Sequence, residues 1–104
     1  MKLLTKELMD KLPKLYSQEN VKDPMVIVKF FNPVGRGNWF AIEYNPEEKL
    51  FFGYASLFGD YNDELGYFGL EELEQVKLPL GIKIERDLYF EPTPLSEIKA
   101  KYTK

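Results

Sequence analysis

The chain has 104 residues, a formal net charge of −3 at pH 7, and neither cysteine nor histidine. That length suits one domain over residues 1–104, and 44% hydrophobic residues with eight Phe, seven Tyr and one Trp supply one core and argue against disorder. Without Cys or His there is no disulfide framework, Cys nucleophile, Ser-His-Asp triad or ordinary zinc ligand set, so the sequence points to a non-enzyme in a reducing, cytoplasmic compartment.

The pattern predicts a helix first. Thr5 is its N-cap, Glu7 stands in the first turn, and Leu8, Leu12 and Leu15 repeat at helical spacing. Pro13 breaks it, leaving Leu15 and Tyr16 in a following turn, and residues 17–24 read as a polar loop. Three strand signals come next. Met25 to Phe31 is β-branched and aromatic and ends at Asn32-Pro33. Asn38 to Tyr44 alternates Phe40, Ile42 and Tyr44 with Trp39, Ala41 and Glu43. Leu50 to Leu57 is apolar on both faces, as a covered inner strand would be. The short loops between them favour an antiparallel meander, with Phe30, Phe40, Ile42, Phe52 and Leu95 buried.

In the second half, Leu65 to Phe68 reads as a short strand and Leu70 to Val76 as a short amphipathic helix ended by Pro79. Ile82 to Ile84 and Leu88 to Phe90 read as extended pieces around Glu85-Arg86-Asp87, where Arg86 is expected to hold a carboxylate. Thr93-Pro94 reads as the start of a last helix with Leu95 and Ile98 inward. The expected fold is α+β: a small antiparallel β-meander sheet with N- and C-terminal helices and a short middle helix. No segment reads as a secretory or membrane-spanning run, so no membrane partner is expected.

Charge is unevenly spread. Leu50 to Val76 contains no Lys or Arg but six carboxylates: Asp60, Asp63, Glu64, Glu71, Glu72 and Glu74. Such a block suits a basic protein partner, and it suits a merely solvated surface as well. Within it, Asp60, Tyr61, Asp63, Glu64 and Tyr67 are the candidate partner-binding residues, because tyrosines add contact area to a negative field. The competing reading packs Tyr67 inward beside Phe68. Asp60, Asn62, Glu64 and Glu71 fall near calcium-loop spacing, but Leu65 stands where the loop needs glycine, so no metal is expected. Arg36 between Gly35 and Gly37, with Trp39 and Arg86, is the alternative site for a small anionic ligand. A hydrolase built on carboxylates ranks third. Two arginines and a negative balance argue against direct nucleic-acid binding, and no cofactor is expected.

Several short motifs stand in a specific order: Leu12-Pro13-x-Leu15-Tyr16, Val28-Lys29-Phe30-Phe31-x-Pro33, Leu50-Phe51-Phe52-Gly53, Glu64-Leu65-Gly66-Tyr67-Phe68, Leu70-Glu71-Glu72-Leu73, Ile84-Glu85-Arg86-Asp87 and Phe90-x-Pro92-Thr93-Pro94-Leu95-Ser96-Glu97. From about Leu3 to Glu97 the chain resembles the bacterial family numbered 2958 in the domain-of-unknown-function series. The resemblance implies a stand-alone cytoplasmic domain, often encoded on phages, plasmids or other mobile elements. It further implies a small accessory protein that binds a host or element-encoded protein, and it carries no site residues with it.

Overall fold

The structure is a computed structural model and describes residues 2–57 and 63–102. Among those residues the chain forms three helices, a five-stranded sheet and a two-stranded sheet, all pairings antiparallel. The α+β expectation therefore holds.

Helix α1 (Lys6–Lys11) starts at Thr5, whose hydroxyl accepts the Leu8 N–H at 3.3 Å. It stops before Pro13, with Leu12 already extended and buried. The segment Met25 to Phe31 is two strands rather than one. β1 (Met25–Val26) pairs with β7 (Thr93–Pro94), whereas β2 (Val28–Phe31) pairs with β3 (Asn38–Asn45). The chain changes sheets at Ile27, whose N–H donates to Ala41 O at 2.9 Å. The large sheet runs β5-β4-β3-β2-β6, with β4 at Leu50–Ser56, β5 at Glu64–Gly69 and β6 at Glu85–Arg86. Helix α2 (Leu70–Gln75) follows β5 directly and buries Leu73.

Two more expectations need correction. The strand near the chain's end lies on Glu85-Arg86 instead of the flanking apolar pieces, because Ile84 packs into the core while Leu88 stands exposed in a turn closed on Asp87. Thr93-Pro94 is a strand, and helix α3 (Leu95–Tyr102) begins after it. Asp23 caps α3 from outside: its carboxylate accepts the Ser96 N–H at 2.9 Å and the Ser96 hydroxyl at 2.6 Å. Thr93 spends its hydroxyl on Glu91 O instead.

The sheet is covered on both sides. On one face, Val28, Phe30, Tyr44, Phe51 and Phe68 pack with Leu3, Leu4, Leu12, Leu73 and Ile84. On the other, Phe40, Ile42 and Tyr54 pack with Val26 and with Leu95 and Ile98 of α3. A bulge joins the two stories. The β3–β4 register passes from Ala41↔Gly53 to Glu43↔Phe52, so Ile42 is the extra residue. Ile42 and Glu43 therefore share the α3 face, and Tyr44 turns to the opposite one, against the simple alternation expected of them. Gly53 sits at this crossing, where a Cβ would collide with the carbonyl oxygen of Phe40. Phe52 is only half-buried, so it is Phe51, fully buried, that fills the role foreseen for Phe52.

Candidate functional site

Helix α3 covers the sheet over Phe40 and Tyr54 but stops short of the β5 edge. There the α3 face opens into a groove of about 300 Å³. Ile42, Phe52 and Leu65 form its floor, Leu95 and Lys99 one wall, and Tyr16, Gln18 and Val21 the other. Antiparallel register fixes who stands there. Leu65 lies opposite Tyr54, and Tyr67 opposite Phe52, so both side chains of β5 project onto this face. Tyr67 is 53% exposed, Leu65 41% and Tyr16 63%. The Tyr67 ring meets Phe52 edge-on at 5.2 Å.

Glu43 builds the far wall. Turned onto this face by the bulge, it is 3% exposed and its two carboxylate oxygens accept the Tyr16 N–H at 2.9 Å and the Gln18 N–H at 2.7 Å. Charge-assisted bonds of this kind compensate burial of the carboxylate. They also hold Tyr16 in the left-handed region, at φ 70°, which a bulky residue rarely adopts alone. Tyr16 thereby stands beside Tyr67. Contact with the Tyr16 hydroxyl pushes the Tyr67 phenol above its ordinary value, with burial and the Glu43 and Glu19 carboxylates adding to the effect.

The five residues proposed for partner binding do not share one surface. Asp60 and Tyr61 lie outside the described residues, as does Asn62 of the calcium-like spacing. Asp63 is structural: its carboxylate accepts the Ser56 hydroxyl at 2.8 Å and the Leu57 N–H at 3.0 Å, closing the end of β4. Glu64 is exposed opposite Ala55, on the other face of β5 from Tyr67. Tyr67 does not pack beside Phe68, which stacks on Phe51 at 5.3 Å on the opposite face. Among the described residues no group of three or more acidic side chains could hold a metal ion. No described helix is long and apolar enough to cross a membrane.

Nor does the structure assemble the alternative site. Arg36 is exposed in the β2–β3 turn, where Asn32 Nδ2 donates to its carbonyl. Trp39 is half-buried against the aromatic core. Arg86 is engaged elsewhere: Nη1 donates to Lys2 O at 2.6 Å and Leu3 O at 2.9 Å, so among the described residues its partners are main-chain carbonyls and no carboxylate. It anchors the N-terminal segment at the β6 end of the sheet, and none of five cavities lined by described residues draws on two of these three side chains.

A second polar cluster joins Lys29 to Tyr102 Oη at 3.0 Å and to Asp87 at 3.7 Å. Lys29 also lies over the Phe31 and Tyr102 rings, which makes it a pin between β2 and α3. Sequence reasoning passed over Tyr16, Glu43, Phe52 and Lys99. Glu43 carried the one available signal: a lone carboxylate between Ile42 and Tyr44 in an otherwise apolar strand.

A family model described as "Protein of unknown function (DUF2958)" matches residues 3–102. No curated protein and no solved structure matches the chain.

Proposed function

The chain belongs to that family, and we propose that it is a non-enzymatic protein-binding domain whose contact surface is the open end of the α3 face. Tyr67 and Leu65 form its centre and Tyr16 its wall. The observation that supports this reading is the pair Leu65 and Tyr67, exposed side by side on a sheet edge above an apolar groove. Monomeric proteins rarely leave such residues contiguous without a partner, and tyrosines beside a groove are favoured contact points. An inventory without His or Cys supports binding over chemistry. On this reading the domain works in the cytoplasm on a host or element-encoded protein with a basic surface.

The test is a comparison of proteins captured from the native host by the wild-type chain and by Tyr67→Ala with Leu65→Ser. Both positions are exposed, so melting temperatures should stay within about 2 °C, as surface changes of a few tenths of a kcal/mol imply. Loss of salt-sensitive partners in the double variant is expected. An identical captured set from both chains would sink the proposal.

A further inference from the structure

Strand β5 ends the five-stranded order, with β4 on one side only. Leu70 sets the phase of its ladder, because its N–H donates to Lys49 O at 2.9 Å. In an antiparallel pair the bonded positions recur at every second residue. Phe68, Gly66 and Glu64 therefore direct their main-chain groups at β4, and Leu65 and Tyr67 direct theirs away from it. Among the described residues none hydrogen-bonds to these outward N–H and C=O groups. The next outward donor, the Gly69 N–H, is closed by Glu72 Oε1 at 2.9 Å, which bounds the open stretch. Exposed edges are usually defended by lysine, proline or a bulge. β5 has an unbroken register and the sequence Glu-Leu-Gly-Tyr-Phe-Gly, with none of those devices.

We infer that this edge receives an extended segment of a partner protein as an added strand, in which basic and apolar residues alternate. The inference rests on the protein-binding reading and specifies its mode. Main-chain groups left open at an edge are complemented by another main chain. Leu65 and Tyr67 project onto the α3 face, so the incoming residues on that side are apolar. On the other side Gly66 leaves open space, with nothing within 4 Å of where a Cβ would stand, so long side chains fit there.

Charge selects the occupant. Exposed Glu64 stands at one end of the strand, while at the other end Glu71 is already paired with Lys49 at 3.4 Å. A second copy would bring another β5, which carries no Lys or Arg of its own to meet Glu64. Lysine or arginine on an incoming segment would instead be attracted there.

Three synthetic octapeptides test this on the wild-type chain: alternating Val and Lys, alternating Val and Glu, and the Val/Lys peptide with alternate main-chain nitrogens methylated. Saturable binding of the Val/Lys peptide is expected, with exchange of the Leu65 and Tyr67 amide protons slowed about tenfold or more. N-methylation should weaken binding by at least about tenfold, since it removes the ladder and leaves the side chains. Leu65→Pro should do the same, while Leu65→Ala keeps most of the affinity. Absence of saturable binding, equal binding of the Val/Glu peptide, or indifference to N-methylation would each overturn the inference. So would a dimer of the free chain that Leu65→Pro dissolves, which assigns the edge to a second copy. If Tyr67→Ala with Leu65→Ser abolishes capture of host proteins but these main-chain changes do not, the contact surface stands and strand addition falls.

Discussion

Phe51 and Phe52 are neighbours in one strand, yet they live on opposite faces of the sheet with different fates. Phe51 is enclosed by Phe30, Tyr44 and Phe68, with ring centroids 5.3, 4.6 and 5.3 Å away. Its face is closed by everything the chain can bring: the buried Leu3 and Leu4, Leu12 beyond α1, Leu73 of α2 and Ile84. Phe52 faces α3, an eight-residue helix and so about 12 Å long. That helix covers Phe40 and Tyr54 and leaves Phe52 to share a groove with Leu65, with the exposed Tyr67 ring edge-on beside it. One face has been spent on stability, and the other keeps an unfinished end. The open groove is simply the part of the sheet that a short helix cannot reach.

The largest test of that contrast is the pair of alanine variants. Phe51→Ala should destabilise by about 3–5 kcal/mol, as aromatic deletions in closed cores do. Phe52→Ala, already half open, should lose only about 1–2 kcal/mol of apolar burial. Urea denaturation measures both, and equal losses would erase the distinction between the faces.

Glu43 sharpens the comparison next. Its two oxygens hold the Tyr16 and Gln18 N–H groups, so Glu43→Gln leaves one main-chain donor facing an amide –NH₂. A loss of about 1.5–3 kcal/mol is expected. The fluorescence or NMR signals of Tyr16 and Tyr67 should move, while those of Phe51 and Phe68 should not. Movement on both faces would mean that Glu43 supports the whole fold instead of the groove.

The smallest effect concerns how α3 is held. The Ser96 hydroxyl, then the Ser96 N–H, keep the Asp23 carboxyl below its ordinary value. For a carboxyl depressed in the folded state, the stabilisation is present above the unfolded value and fades as pH falls through the folded one. Wild type should therefore melt above Asp23→Asn near neutral pH, and the two curves should converge below about pH 4. Parallel curves across that window would remove Asp23 from the account of α3.

Much of this architecture was legible in the sequence, because it is written in local chemistry. Thr5 and Pro13 bound α1, and the aromatic alternations of β2, β3 and β4 announce an antiparallel meander. What escaped depends on partners distant in the chain. Asp23 caps Ser96, Arg86 holds the Lys2 and Leu3 carbonyls, and Met25 and Val26 pair with Pro94 and Thr93. None of these leaves a periodicity to read. For the candidate site, Tyr67 was found by its company and its exposure is real, but the acids around it were read as one patch when β5 divides them. Alternation alone should have separated Glu64 from Tyr67, and only the hairpin end shows Asp63 bound to Ser56 and Leu57.

The bulge at Ile42 acts as a phase slip in the two-residue rhythm of β3. Upstream of it, odd-numbered positions look toward the aromatic core; downstream, even-numbered ones do. The irregularity is thus what seats the residues after it. A strand that kept every residue but paired Ile42 without the bulge would exchange the seats of Glu43 and Tyr44, sending a carboxylate in among Phe51 and Phe68 and a phenol out to the Tyr16 turn. A chain that lacked Ile42 altogether would run in plain alternation and leave both where they are, so the extra residue and the bulge balance each other.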